Sequence, residues 1–396
     1  MDFSYPAEVE QFRKELRAWL AANLTEEVVA AGRRRGRDPE TFEILRTWDA
    51  TLADAGWGAV SWPREYGGRG ATVLEQLAYA EETTQARAPV PLNVIGMNNI
   101  APAIMQYGTD TQKRELLPRM VHADDIWCQG MSEPEAGSDL ASLRTRAVLD
   151  DADYVVNGQK IWTSLGHRAD WCQLYVRTDQ DAHKHKGISC LIVDMTLPGI
   201  EVRPLVTLNG AADFAEVFFN DVRVPVDALL GPLNAGWQVA TTTLSHERAG
   251  AARLYAQLEV QLRDLVADLA DCEVNGRPVL EDGATLRRLG EVAVRIKYLE
   301  VLCQRSISAT LHGGDALGSA SLAKSVWAEV GQQLAALAYD VLGPLGGHRR
   351  WLEYRLTSRS LTIAGGTTQI NKSVTATRVL GLPRPMSARA KSKGHR

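Results

Sequence analysis

The chain has 396 residues, of which 45% are hydrophobic and 23% charged, and its formal net charge is −4. This length exceeds one ordinary hydrophobic core, so we expect about two or three packed regions. The balanced composition excludes an intrinsically disordered chain, and the weak negative charge gives no electrostatic reason to expect nucleic acid as a partner. No stretch approaches the roughly 18 consecutive apolar residues that a membrane span needs.

The five cysteines are scattered along the chain, and none forms a Cys-x-x-Cys pair. Disulfide frameworks and zinc sites are therefore not expected. The N-terminus lacks the basic and apolar regions of a signal peptide, so we expect a cytoplasmic protein. Basic residues cluster over Arg33–Arg37 and again over 384–396, as is typical of a solvated loop and a flexible tail.

Residues 1–124 predict a helical domain. Val9, Phe12 and Leu16 recur at three- and four-residue steps, which places them on one face of a helix. Another helix is predicted to begin near Thr72. A further helix opens at Thr109, whose hydroxyl side chain suits an N-cap.

Short strands replace helices over residues 125–232. Tyr154–Trp162 resembles a hairpin, with Asn157-Gly158 supplying the positive φ angles of a tight turn. Turn residues separate four further strand-like runs, which cover 171–178, 187–195, 199–205 and 215–224. The pattern predicts an all-β domain inserted between two helical regions.

Helical periodicity returns over residues 233–383. Helices are predicted over Leu286–Leu311 and Leu322–Leu342, and a first and a last helix complete a four-helix bundle. The sequence therefore predicts a multidomain α+β chain with a helical, an all-β and a helical domain in that order.

Three short segments have side chains that suit a flat, polar, redox-active ligand. In Met131–Asp139, small residues and hydroxyls would let backbone amides approach a ring or a phosphate, although a capped turn fits equally well. Lys160–Ser164 sets a Trp beside two hydroxyls, which suits stacking and hydrogen bonding as well as an ordinary core position. Gly365–Gln369 fits either a phosphate-binding helix N-terminus or a helix C-cap and turn.

Glu247 lies in a predicted helix, between His246 and Arg248. Most helix glutamates face solvent and pair with a neighbouring cation, so its position alone assigns it no role.

Four segments, in register along the chain, resemble signature sequences of the acyl-CoA dehydrogenase family. They are Trp127–Asp139 (first signature), Gly158–Ser164 (the Gly-x-Lys-x-Trp-Ile-Thr element), Glu216–Pro225 (the strand leaving the β domain), and Gly365–Ile370 with Arg378–Pro383 (C-terminal signature). The resemblance extends from Trp19 to Pro383. It implies a helical N-terminal domain, a central β-barrel and a C-terminal four-helix bundle, with FAD bound in extended form between two subunits.

The resemblance assigns cofactor contacts residue by residue. Met131 and Ser132 should hydrogen-bond the pyrimidine side of the flavin, Trp162 should flank the ring, and Thr163 and Ser164 should contact its N5 edge. The other expected cofactor contacts are Gln129, Gly366, Thr367 and Gln369, of which Thr367 and Gln369 match positions on the nucleotide half.

The resemblance also assigns substrate contacts. Ser138 and Arg248 match positions that touch the CoA arm. Met97 and Ile100 are expected to line the acyl pocket, although apolar helix residues also commonly belong to the core. Chain length, branching or a steroid-derived acyl group cannot be chosen from these residues.

Glu247 is the catalytic base that the resemblance implies. Many family members place a Glu just before the Gly-Thr of the C-terminal signature, where this chain has Gly365. A minority, the isovaleryl- and long-chain enzymes, place it on the first bundle helix before an Arg, as in Glu247-Arg248 here. This helix-borne base favours a branched or bulky acyl chain.

The activity that the resemblance implies is α,β-dehydrogenation of an acyl-CoA thioester, a reaction of fatty acid β-oxidation. Because the α proton is weakly acidic, the site must polarise the thioester carbonyl and present a desolvated carboxylate with a raised pKa. Glu247 would remove the α proton, and the β hydrogen would leave as hydride to flavin N5. Electrons would then pass to an electron-transfer flavoprotein.

Two segments depart from the family pattern. Asp271–Leu280 lacks the Arg-x-x-Phe-Gly that contacts the partner subunit's FAD, and Asp340–Gly346 replaces a Gln-x-x-Gly-Gly-x-Gly element. The sequence therefore leaves open a homo-oligomer and a heterotetramer with a sister subunit. It also leaves open a heteromeric subunit with little activity alone, and a flavin oxidase or monooxygenase on the same fold.

Overall fold

The computed structural model describes residues 5–249, 254–274, 276–314, 317–343 and 349–383, without the side chains of 245–249, 274 and 317. The chain divides into two compact units, one ending at Glu247 and the other beginning at Arg248. The first unit holds the N-terminal helices and a β sheet, and the second is largely helical. The predicted fold class is confirmed. The predicted domain boundaries stay a prediction, and the tail over 384–396 lies outside the described residues.

Six α-helices begin the first unit. They are α1 (Ala7–Asn23), α2 (Glu26–Arg34), α3 (Pro39–Asp54), α4 (Val73–Gln85), α5 (Ala101–Tyr107) and α6 (Asp110–Val121), with a π-helical turn at Gly96–Ile100 directly before α5. Thr72 and Thr109 are N-caps, as predicted, and each forms a capping box with the residue three positions later. The reciprocal hydrogen bonds satisfy backbone donors that the first helical turn leaves unpaired.

A seven-stranded sheet follows the helices. Its strands are β1 (Trp127–Gly130), β2 (Arg146–Asp150), β3 (Asp153–Ser164), β4 (Trp171–Arg177), β5 (Ile188–Asp194), β6 (Ile200–Leu205) and β7 (Phe214–Pro225). Their order is β1-β4-β2-β3-β7-β6, and β5 pairs with β4. All seven strands supply side chains to one hydrophobic cluster, which includes Val156, Leu174 and Phe219. A sheet whose strands all face one cluster must curl around it, so the arrangement is barrel-like.

The hairpin predicted at Asn157-Gly158 is wrong, because β3 continues through both residues, with a shift in its pairing with β7 between Val156 and Gly158. The turn lies instead between β2 and β3, where Asp151 has a φ of 55°. Gly158 has a φ of 153°, and a Cβ added there would lie 2.5 Å from Thr145 Oγ1. The glycine therefore permits close approach of Thr145 to the strand, which is the other common reason for a glycine inside a β pattern.

Helix α7 (Gly236–Ala249) begins in the first unit, where Val239 and Ala240 join the larger hydrophobic core. The described part of the second unit contains five α-helices and a short hairpin. The helices are α8 (Leu254–Leu269), α9 (Gly283–Leu311), α10 (Leu317–Leu342), α11 (Arg349–Thr357) and α12 (Thr368–Arg378), and the hairpin strands are β8 (Glu273–Val274) and β9 (Arg277–Pro278). Helix α10 packs against α8, α9, α11 and α12. The helices predicted over 286–311 and 322–342 lie inside α9 and α10.

Candidate active site

The segment Met131–Glu133 lies directly beside β3. The Ile161 backbone N–H donates to the Ser132 carbonyl at 2.9 Å. Lys160, whose side chain is fully buried, donates to the Met131 carbonyl at 3.1 Å and to Glu133 Oε1 at 2.8 Å. Two of the segments that the sequence singled out, 131–139 and 160–164, are thus brought together by an ion pair and a backbone hydrogen bond.

Glu133 also connects this segment to the backbone at Arg144 and Thr145. Its carboxylate also accepts the backbone N–H groups of Arg144 at 2.6 Å and Thr145 at 2.9 Å. Burial raises the pKa of Glu133, but the charge of Lys160 and these donors outweigh burial and leave the pKa below its usual value. Burial in turn lowers the pKa of Lys160, and Glu133 opposes that shift. Both side chains of the pair also bond backbone groups, which is the condition under which a buried ion pair is tolerated.

Lys160 and Glu133 were missed as positioning residues by the sequence reasoning. A signal was present, because Lys160 follows Tyr154 and Val156 at the even, inward-facing positions of β3. A charged residue at such a position requires a buried partner. The sequence does not show that this partner is Glu133, 27 residues earlier.

A bulge in β3 presents Trp162 to the surface. The pairing of β3 with β7 shifts between Lys160 and Thr163, and Trp162 has a φ of 62°. Its side chain is 57% exposed, with its ring edge-to-face against Phe214 at 5.8 Å. A left-handed φ is costly for a bulky residue, and bulges commonly redirect a side chain beside a functional site. The geometry thus fits a ring that flanks a flat ligand.

The two hydroxyl residues after Trp162 have different surroundings. Thr163 is fully buried, and its Oγ1 has no hydrogen-bond partner among the described residues. Ser164 is half-buried, like Met131 and Ser132. A buried hydroxyl without a partner costs stability unless a ligand supplies one. This orphaned atom, beside an exposed aromatic ring, fits the edge of a flavin.

The structure places Gln129 in a polar network inside the first unit. Its amide lies 3.5 Å from Asn99 and 3.0 Å from Gln173. Its expected role as a cofactor contact stays a prediction. Ser138 is exposed on the loop that follows Met131–Glu133, and its expected contact with the CoA arm stays a prediction.

Met97 and Ile100 lie in the π-helical turn, and both are buried in the larger hydrophobic core of the first unit. Trp62 Nε1 donates to the Met97 carbonyl at 3.1 Å. The core alternative is therefore realised in this structure. Their role in an acyl pocket stays a prediction, which the π-helical geometry favours because such turns occur often at functional sites.

Glu247 and Arg248 belong to the last turn of α7. Their side chains, and that of His246, are not among those the structure describes. The roles predicted for Glu247 and Arg248 therefore stay predictions. Thr243, one helical turn before Glu247, is fully buried.

In the second unit, Gly366, Thr367 and Gln369 lie at the start of α12. Thr367 is the N-cap, and its side chain accepts the Ile370 N–H at 3.2 Å. Lys324 Nζ donates to the Gly366 carbonyl at 3.1 Å. A helix therefore begins here, and its N-terminus would suit a phosphate group, which stays a prediction. The Oγ1 of Thr368 is buried and has no partner among the described residues.

Two kinds of site are not found in the described part of the chain. No described helix is long and apolar enough to cross a bilayer. No group of three or more described His, Cys, Asp or Glu side chains could hold a metal ion.

Comparison with known proteins defines the class of protein. The chain matches the N-terminal domain of acyl-CoA dehydrogenases over residues 6–124, the middle domain over 128–222 and the C-terminal domain over 234–380. The chain therefore belongs to the acyl-CoA dehydrogenase family. It is an oxidoreductase with FAD as its cofactor, as the sequence predicted.

Three proteins illustrate what this chain is similar to within the family. It is 38% identical to acyl-CoA dehydrogenase IpdE1 of Mycobacterium tuberculosis over 391 residues, which is 95% of this chain and 98% of the relative. A chain of the ChsE4–ChsE5 complex from Mycobacterium tuberculosis has a TM-score of 0.84 at 35% identity, covering 97% of this chain and 100% of that one. A chain of the Tcur3481–Tcur3483 steroid acyl-CoA dehydrogenase has a TM-score of 0.86 at 31% identity, with the same coverage.

Proposed function

We propose that this chain dehydrogenates an acyl-CoA thioester between its α and β carbons, with Glu247 as the base. The observation that carries the proposal is the joining of Met131–Ser132 to Trp162–Ser164 around the unpartnered Thr163 hydroxyl. FAD, when bound, supplies the acceptor for the hydride that leaves the β carbon. The chain's own groups bind, orient and move the α proton.

Each group has one task in this scheme. Met131 and Ser132 hydrogen-bond the pyrimidine side of the flavin, and Trp162 covers the ring. Thr163 gains the partner that its buried hydroxyl lacks. Glu247 takes the α proton on its carboxylate, which is a stronger base once bound substrate and cofactor shield it from water.

The remaining contacts concern the substrate and the far half of the cofactor. Ser138 and Arg248 hold the CoA arm, and Met97 and Ile100 line the acyl pocket. Gly366, Thr367 and Gln369, at the N-terminus of α12, hold the nucleotide half of FAD, whose phosphates suit a helix N-terminus.

The test is anaerobic titration of the flavin-loaded protein with acyl-CoA thioesters, following the absorbance of oxidised flavin. Glu247→Gln should lower the bleaching rate by about 10²–10⁴-fold, the usual contribution of a general base. Its flavin spectrum and thioester affinity should stay close to wild type. Glu43→Gln, an exposed glutamate of α3, is the matched control and should bleach normally. An unchanged rate in Glu247→Gln would remove Glu247 from this role.

We also propose a heteromeric assembly in which a sister subunit completes the FAD site. The β8–β9 hairpin occupies the position where the family motif for the partner's FAD is missing, and two similar solved structures are two-component assemblies. The chain purified alone should then hold well under one FAD, and co-expression with its sister subunit should restore it. A full complement of FAD in a homo-oligomer would overturn the proposal. The subsequent transfer of electrons to an electron-transfer flavoprotein is part of the same proposal.

A further inference from the structure

The π-helical turn at Gly96–Ile100 leaves one backbone carbonyl without a donor in its own helix. The Ala101 N–H donates to the Gly96 carbonyl, five residues back, and not to the Met97 carbonyl, four residues back. If the π pattern continued, residue 102 would donate to Met97, but this residue is Pro102, which has no N–H. The Met97 carbonyl must therefore find its donor elsewhere.

Trp62 supplies this donor from outside the helix. Its Nε1 donates to the Met97 carbonyl at 3.1 Å, and both side chains belong to the larger hydrophobic core of the first unit. Water scarcely reaches the carbonyl, since Met97 is 5% and Trp62 3% exposed. A buried carbonyl without a partner is unfavourable, so the π pattern at Met97 depends on this hydrogen bond.

The ordinary α pattern would need no donor from outside. The Ala101 N–H would then bond the Met97 carbonyl, and the carbonyl facing Pro102 would be that of Asn98. Asn98 is the exposed residue of the turn, where water is at hand to bond a carbonyl. Without the Trp62 donor, the tighter α pattern is therefore favoured over the π pattern.

The start of the turn is fixed by other contacts. The Asn93 side chain makes three hydrogen bonds of 2.8–3.0 Å to backbone groups, those of Met120, Asp125 and Trp127. Gly96 packs directly on this side chain, because a Cβ added there would lie 2.6 Å from Asn93 Oδ1. Since this end is held in place, a change from π to α pattern must displace the residues that follow it, Met97 and Ile100 among them.

We propose that Trp62 is a positioning residue, whose hydrogen bond sets the pattern of the turn and thereby the place where Met97 and Ile100 meet the acyl group. The inference rests on the proposed function, in which these two side chains line the acyl pocket, and it adds a residue that decides which acyl groups fit. Acyl groups that extend well beyond the β carbon should depend on Trp62, and short ones should not.

The experiment removes the indole N–H and compares two acyl groups. Trp62→Phe is tested in the FAD-loaded protein with 3-cyclohexylpropanoyl-CoA, which carries a ring on its β carbon, and with butanoyl-CoA, which carries one carbon there. The kcat/KM should fall about tenfold for the first, the usual cost of a poorer apolar fit, and less than about twofold for the second. Dissociation constants of the matching CoA thioethers, which cannot react, should change by the same factors in calorimetry, and they decide wherever a thioester is not turned over.

Trp48→Phe is the matched control. Trp48 is 2% exposed, and its Nε1 has no hydrogen-bond partner among the described residues. This variant loses the same volume as Trp62→Phe but no hydrogen bond, so it should keep the wild-type ratio between the two thioesters. If Trp62→Phe does not fold, benzothienylalanine at position 62, which has the shape of tryptophan and no N–H, takes its place in every measurement.

A crystal structure of Trp62→Phe gives a readout that does not depend on activity. In it the Ala101 N–H should bond the Met97 carbonyl instead of the Gly96 carbonyl. An unchanged π-helical turn, or equal losses for both acyl groups, would overturn this inference and leave the dehydrogenase proposal standing. Failure of every acyl-CoA thioester to bleach the flavin of the wild type, in a protein that holds FAD, would overturn both.

Discussion

The β sheet and the N-terminal helices each bury a carboxylate, and the two carboxylates have opposite pKa shifts. Glu133, 8% exposed beside the sheet, has a lowered pKa because Lys160 and two backbone amides outweigh the effect of burial. Asp49, in α3, is 3% exposed, and burial raises its pKa to about 7, although it accepts the Leu92 N–H at 2.8 Å. The Oδ1 atom of Asp49 has no hydrogen-bond partner among the described residues.

The opposite pKa shifts of Glu133 and Asp49 show that a buried carboxylate has a different role in each region. In the sheet region the ion pair joins three backbone segments, and it fixes Met131 and Ser132 where the flavin is proposed to bind. Such a pair adds little net stability over apolar residues of similar volume, but its loss is costly. In the helical region Asp49 has no counter-ion on the described residues around it, so its charge is a source of pH-dependent instability.

The largest loss of stability is expected from breaking the ion pair of Lys160 and Glu133. Lys160→Met leaves Glu133 buried without its cation, which should lower the free energy of unfolding by about 3–5 kcal/mol. The Met131–Glu133 segment should also shift, so the protein should lose FAD. Denaturant unfolding of the FAD-free protein and the flavin content of the purified protein measure the two effects.

Two further variants control this experiment. Lys184→Met breaks an exposed pair with Asp139, in which both side chains are about half accessible, and should cost less than about 1 kcal/mol. Glu133→Gln combined with Lys160→Met should regain part of the loss, because no charge is then left unpaired. A single variant as stable as wild type would show that the pair does not fix the segment.

A pH-dependent effect of intermediate size is expected at Asp49. Its folded pKa of about 7 lies above its ordinary value of 3.8, so between these values the folded chain keeps a proton that the unfolded chain loses. Stability due to this group is therefore complete below about pH 4 and falls as the pH rises towards 7. Asp49→Asn should gain about 2 kcal/mol over wild type on going from pH 5 to pH 8, judged by denaturant midpoints at both pH values. A wild-type-to-variant difference that is constant with pH would show that Asp49 is ionised in the folded chain.

Much of the fold was predictable because its signals are local. The N-caps Thr72 and Thr109 each act on a residue three positions away, and the strands from β4 to β7 are bounded by turn residues close in sequence. The prediction of a turn at Asn157-Gly158 was wrong because strand pairing with a segment distant in sequence outweighed the local preference for a turn. Strand β3 pairs with β7 on both sides of Asn157, and the Asn157 side-chain amide donates to Asp221 Oδ1 of β7 at 2.9 Å.

The candidate site was predictable only where the family motifs cover it. The motifs indicated the segments 131–139 and 160–164, but not how the chain holds them together. The contact between the two segments depends on the ion pair of Lys160 and Glu133, which are 27 residues apart, and on a β-bulge whose position cannot be predicted from residue types. The network of Asn99, Gln129 and Gln173 joins three segments distant in sequence, so single-sequence reasoning had no means of finding it.

The smallest change in stability is expected from removing the unpartnered hydroxyl of Thr163 in the sheet, because this group carries no charge. Thr163→Val keeps the shape of the side chain and deletes the buried Oγ1, which has no partner among the described residues. Without FAD the variant should be more stable than wild type by up to about 1 kcal/mol, since an unsatisfied buried hydroxyl is gone. With FAD the sign should reverse, because a cofactor hydrogen bond is lost and the affinity for FAD should fall by about tenfold. Apo unfolding and FAD titration on the same variant measure both signs, and an unchanged FAD affinity would mean that the Thr163 hydroxyl does not contact the cofactor.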